Sequence, residues 1–174
     1  MNDAFRIFQP LYALTGACLA AFLTCGMASV SAVEPIVESR LIANRVLTVA
    51  GAEVFKPADK ANPGDVIEYR ARYANKGAIG VAALAATIPV PPGTEYWNGT
   101  ARPNGALASA DGINFSQMPL KRSVRTADGK TRDELVPTAE YRALRWELGA
   151  LPAGADAVVS LRVRVTPATP PAKK

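Results

Sequence analysis

The sequence predicts an all-β domain, an antiparallel β-sandwich, and three observations predict it. Apolar and polar residues alternate with period two; short runs of this kind are broken by turn residues about every eight to twelve positions; and no stretch carries a convincing helical period of 3.6. From Val66 to Ala74, Ile67, Tyr69, Ala71 and Tyr73 fall on one face while Glu68, Arg70 and Arg72 fall on the other. From Ala157 to Val165 the pattern recurs, with Val159, Leu161, Val163 and Val165 opposed to Ser160, Arg162 and Arg164. Strands that are dry on one side and wet on the other belong to antiparallel sheets packed face to face, not to buried parallel sheets.

The punctuation between the runs agrees. Asn62-Pro63-Gly64-Asp65 suits a type II turn, in which Pro63 fixes one φ and Gly64 supplies the positive φ that follows. Asn75-Lys76-Gly77 is a second turn. Pro89, Pro91, Pro92 and Gly93 end a strand running from Ala82 to Ile88, because proline cannot donate to a central ladder. Asp111-Gly112 and Asp128-Gly129 are hairpin signals, and Pro152-Ala153-Gly154 opens the last strand. Between Thr94 and Thr138 the alternation loosens, which predicts shorter strands joined by long loops. Residues 167–174, with three prolines and two terminal lysines, read as a disordered tail. No internal repeat is visible.

Residues 1–32 read as an export signal. Arg6 and Asp3 are the only charged side chains there, Leu11 to Val30 is uncharged, and Val30-Ser31-Ala32 offers small residues where a signal peptidase needs them. Cleavage is expected after Ala32, leaving a single domain over residues 33–166. An uncleaved membrane anchor is the first alternative, since about 20 uncharged residues also span a bilayer. Lipidation at Cys25 is the second. Both cysteines, Cys18 and Cys25, lie inside this segment, so the exported part would hold no thiol, disulfide or thiolate ligand. A domain of that length needs no such staple, because it can bury roughly two-thirds of its unfolded surface. The exported part keeps the net charge of +5. Outside the cytoplasm that charge favours anionic envelope polymers or head groups over nucleic acid, which is not expected as a partner.

The run Asn62-Pro63-Gly64-Asp65-Val66-Ile67-Glu68-Tyr69, followed by Tyr73-Ala74-Asn75-Lys76-Gly77, resembles the opening of the bacterial "conserved repeat domain" of unknown function. Further matches follow in order: Ile88-Pro89, Pro92-Gly93-Thr94-Glu95-Tyr96, Ser109-Ala110-Asp111-Gly112 with Phe115, Tyr141, Leu144-Arg145-Trp146, Leu148-Gly149, Leu151-Pro152-Ala153-Gly154 and Arg162-Val163-Arg164-Val165. The resemblance implies an immunoglobulin-like sandwich in a periplasmic, secreted or cell-surface place. It supplies no catalytic residue. Relatives carry several copies in long surface proteins, whereas this chain carries one.

Catalytic chemistry finds little footing. The chain has no histidine, which removes Ser-His-Asp and Cys-His catalysis and the usual zinc sites. Asp111, Asp128, Asp133 and Glu134 are too scattered for a calcium loop, and the Asp-Gly pairs are better explained as turns. No cofactor and no metal is expected, and the chain does not read as an enzyme. Asp65 and Asn75 are expected to bond backbone groups in their turns. Tyr69, Tyr73, Tyr96 and Trp146 are expected in the core.

The candidate partner-binding residues are Trp97, Arg70, Arg72, Arg162 and Arg164. Trp97 alternates out of phase with Tyr96 and would stand outside the core, either packing within its loop or serving as a stacking platform for a carbohydrate or partner. The arginines share the solvent faces of their two strands. If those strands are neighbours they form either a salt-bridged face, interleaved by Glu68 and Glu147, or a basic strip for an anionic envelope polymer. The functional expectation is an exported, non-catalytic binding or structural module that recognises a partner through surface loops or an edge strand. The alternatives are an accessory subunit of a larger envelope assembly and a hydrolase with an unrecognised carboxylate pair. The partner would be an unknown envelope protein or an anionic envelope polymer. Membrane contact is expected only through an uncleaved or lipidated N-terminus.

Overall fold

The structure, a computed structural model, describes residues 36–167, which fall within one compact unit, Val33–Lys174. The readings made for residues 1–32 and for the tail beyond Pro167 lie outside the described residues. In chain order the elements are β1 (Val37–Val49), β2 (Ala52–Pro57), β3 (Val66–Asn75), β4 (Val81–Pro89), β5 (Thr94–Tyr96), β6 (Leu107–Ser109), β7 (Ser116–Gln117), β8 (Lys121–Arg125), β9 (Thr131–Leu135), a 3-10 turn at Thr138–Glu140, β10 (Ala143–Leu151) and β11 (Asp156–Val165). They form a five-stranded sheet in the order β2-β1-β3-β11-β5, a four-stranded sheet in the order β4-β10-β6-β7, and a separate β8-β9 hairpin. Every strand pairing is antiparallel. The all-β antiparallel sandwich read from the alternation is the architecture observed.

The two period-two runs become β3 and β11, and they are neighbours, with Leu161 opposite Tyr69 and Arg162 opposite Glu68. Their apolar faces supply Ile67, Ala71, Val159, Leu161 and Val163 to the core. The second sheet answers with Ala86, Ile88, Leu144 and Trp146. Trp146 is 2% exposed, and its indole N–H donates to the Pro103 carbonyl at 2.8 Å. Tyr96 and Tyr141 stack with ring centroids 5.9 Å apart; their hydroxyls accept the N–H groups of Ala101 and Leu120. Each buried aromatic thus keeps its polar end satisfied. Tyr69 and Tyr73 are only partly buried, packed against the margin of the core.

Chain direction changes where the sequence marks it. Gly64 takes φ of 91°, the conformation that a type II turn after Pro63 requires and that a side chain resists. Gly149, at φ 71°, sits where the β10–β4 register shifts, a bulge in the middle of a long strand. The region from Thr94 to Thr138 holds strands of only two to five residues.

Two features depart from the sequence reading. Glu68, expected on a wet face, is 5% exposed, because arginines from β3 and β11 close over it. The segment before Asn62 holds β1 and β2, which the alternation did not single out. In β1, Ile42 and Val46 interrupt the polar outer face and Ser39 and Arg45 the apolar inner one, so the contrast between dry and wet sides is blurred.

Candidate functional site

The outer face of the five-stranded sheet gathers the sequence-predicted site residues. Arg70 and Arg72 lie on β3, Arg162 and Arg164 on the adjacent β11, and all four point away from the core. Carboxylates interleave three of them. Arg162 holds Glu53 through two bonds of 2.7 Å and reaches Glu68 at 3.2 Å; Arg70 binds the other Glu68 oxygen at 2.8 Å; Arg72 binds Asp156 at 3.1 Å. The hydrogen bonds from Arg162 hold the Glu53 carboxyl below its ordinary range, and Glu53 in turn raises the Arg162 guanidinium. Asp156 is lowered in the same way by Arg72. Glu147, the other carboxylate considered as an interleaving partner, stands on β10 in the opposite sheet and takes no part.

Arg164 is handled differently. Its guanidinium carbon lies 5.1 Å from the centre of the Trp97 ring, a cation–π arrangement. Tyr96 is 1% exposed and Trp97 40%, so the out-of-phase alternation at the end of β5 separates a core ring from a surface ring. Trp97 and Arg164 line a shallow depression of about 230 Å³ with Glu95, Asn98 and Thr138. It is open and small for a substrate pocket, which commonly spans roughly 300–1,000 Å³.

The conspicuous turn residues are fully occupied as fasteners. The Asp65 carboxylate accepts the Asn62 N–H at 2.8 Å and Arg45 at 3.4 Å, and its pKa is lowered chiefly by that backbone bond. Asp111 accepts the N–H groups of Asn114 and Ile113, the Asn114 amide and the Ser109 hydroxyl, which together hold its carboxyl far below the ordinary range. Asn75 is completely buried and ties the β3–β4 turn to the β10–β11 turn. Among the described residues, no three His, Cys, Asp or Glu side chains gather as a metal site.

The feature that sequence reasoning missed is the wing formed by β1 and β2. No residue of either strand is buried. Leu41, Ile42, Val49 and Phe55 are 41–54% exposed, and Ile36 just before β1 is 60% exposed. β2 pairs only with Asn44–Val49 of β1, so no described residue pairs with the other edge of β1 from Val37 to Ile42. A signal for it did exist: Leu41-Ile42 and Val46-Leu47 set apolar residues side by side in a strand, which a one-sided sheet cannot bury.

Comparison with known proteins returned no matching family model, no matching curated protein and no matching solved structure.

Proposed function

We propose that this chain is an exported, non-catalytic binding or structural module of the bacterial envelope that engages a protein partner through the edge of β1, as an accessory component of a larger assembly. The wing carries this reading. A thirteen-residue strand with no buried residue and with apolar side chains on both faces is poor design for a free-standing sandwich. It is well suited to strand addition, where main-chain bonds supply affinity and alternate side chains supply specificity. The export pattern of residues 1–32 and the resemblance to an envelope repeat domain support the same setting. The arginine face contributes less to recognition, because three of its four guanidinium groups are already held by carboxylates.

The test is photo-crosslinking in the producing cells, with a photoreactive residue at Ser39 in the edge, at Trp97, or at Asp128 in the β8–β9 turn. A discrete adduct from position 39, absent from position 128, is expected. Adducts from position 97 alone would overturn the edge reading in favour of loop recognition.

A further inference from the structure

The free edge of β1 has properties that select one occupant. Lys76 donates its N–H to the Ile36 carbonyl at 2.7 Å on the β3 side, and Ala58 donates to the Ala43 carbonyl at 3.2 Å on the other. Main-chain groups alternate in direction along a strand, and the β1–β3 register is unbroken from Val37 to Val46. The N–H and C=O groups of Val37, Ser39 and Leu41 therefore face the open edge. Ala58 closes that edge at Ala43, so the open stretch runs from Ile36 to Ile42, and Ser39 is its midpoint. The stretch has no proline, lysine or bulge, and only the charges of Glu38 and Arg40 stand along it, whereas β2, the outermost strand of the same sheet, ends in Lys56-Pro57.

We infer that the occupant is a second copy of this chain, bound by antiparallel pairing of β1 with β1 about a two-fold axis at Ser39. The inference rests on reading the wing as a recognition surface and names its partner. In this register Glu38 stands opposite Arg40 of the second copy, Val37 opposite Leu41, and Ile36 opposite Ile42, each pair occurring twice. Among the described residues neither Glu38 nor Arg40 has an ion-pair partner; instead Arg40 stands directly opposite Arg72 of its own sheet. The pairing supplies each with an opposite charge across the strand. It also sets the exposed Ile36 and Ile42 against each other on one face, and Val37 against Leu41 on the other.

The neighbouring registers fail. Sliding the pairing to the next alignment that keeps the main-chain groups facing puts Arg40 opposite Arg40 in one direction and Glu38 opposite Glu38 in the other. Like charges directly opposite are destabilising, so the sequence of the edge itself fixes the register. The correct alignment offers about six main-chain hydrogen bonds, two for each of three facing pairs. It joins two five-stranded sheets edge to edge. A closed two-fold interface of this kind leaves neither β1 edge free to recruit a third chain.

Sedimentation of the purified full chain, in the form the producing cells deliver, over a broad concentration range tests this. Wild type is expected to form a dimer. Glu38→Arg and Arg40→Glu each convert two attractive pairs into two repulsive ones and should weaken the dimer at least about tenfold, which is about 1.4 kcal/mol. Mixing these two variants should restore association as a heterodimer, because every facing pair is again of opposite charge. The double variant Glu38→Arg/Arg40→Glu should restore the homodimer. Ser39→Pro removes an N–H that points away from β3, so it should abolish the dimer while leaving the thermal transition close to wild type. A wild type that stays monomeric throughout, or a dimer indifferent to both charge variants and to Ser39→Pro, overturns the inference. A monomer that still crosslinks from position 39 to a different protein overturns the second copy but keeps the edge reading. A monomer with no crosslink from that position removes both.

Discussion

Replacing Asn75 should damage the fold more than its small size suggests. Its amide nitrogen donates to the carbonyls of Ile79 (2.8 Å), Leu151 (3.1 Å) and Pro152 (3.2 Å), and its oxygen accepts the Gly77 N–H at 3.0 Å. Its own backbone bonds Ala155 and Gly154. One side chain thus fastens the β3–β4 turn to the β10–β11 turn, two of the crossings between the sheets. Asn75→Ala leaves the part-buried Gly77 N–H and the buried Leu151 carbonyl without this partner. At roughly 1–3 kcal/mol for each of the two stranded groups, the expected loss is about 2–6 kcal/mol. Asn75→Asp keeps the volume and the Gly77 bond but removes both donors and turns a carboxylate toward three carbonyl oxygens. Its loss at neutral pH should be at least as large. Urea denaturation followed by tryptophan fluorescence reads both values against a total stability that is typically about 5–15 kcal/mol. A loss below about 1 kcal/mol for Asn75→Ala, or an Asn75→Asp variant as stable as wild type, would refute the reasoning.

Other expectations follow from the same structure. Trp146→Ala removes a ring that is 2% exposed and its bond to Pro103, and should cost roughly 3–5 kcal/mol. Trp97→Ala should cost under about 1.5 kcal/mol, and denaturation of the two variants side by side compares them. Arg162→Gln strands the buried Glu68 with Arg70 alone and should cost about 1–3 kcal/mol, whereas Arg72→Gln breaks an exposed pair and should cost under about 1 kcal/mol. Glu53, Asp65, Asp111, Asp128 and Asp156 all have folded-state pKa values lowered by hydrogen bonds to their carboxylates. Their stabilising contribution is present above the ordinary carboxylate range and is lost as pH falls through the lowered values. The melting temperature should therefore fall below about pH 4, and an Asp111→Ala variant should fall less steeply there.

The sandwich was legible because its central strands obey one rule without interference. β3 and β11 each bury one face, so their alternation announces both the strand and the orientation of every side chain, including four outward arginines. The turns were legible because proline and glycine have few conformational options. What period two could not supply was pairing: nothing in either strand alone says that β3 and β11 are neighbours, and hence that Arg162 meets Glu68. Nor could it foresee the burial of Glu68, which depends on Glu53 arriving from β2 to engage the arginine that covers it. β1 escaped notice for a different reason. Ile42 and Val46 on its outer face, with Ser39 and Arg45 on its inner one, blur the alternation that identifies a one-sided strand.

That blurred alternation, with apolar residues intruding on the outer face, is a reason to read β1 as more than a sheet margin. A strand that only closes the edge of a sandwich can leave its outer face polar, as β3 does with Arg70 and Arg72, and can end in residues that discourage pairing, as β2 does with Lys56 and Pro57. β1 does neither. Of the exposed apolar residues in and just before β1, Ile36, Leu41 and Ile42 lie where its second edge is open, Ile36 and Ile42 on one face and Leu41 on the other, while Val49 lies beside β2. A ligand lying on one face would cover only half of them. A strand added in the plane of the sheet brings a neighbour to each residue on both faces at once, while satisfying the outward main-chain groups. The charge order Glu38–Arg40 then decides which strand fits.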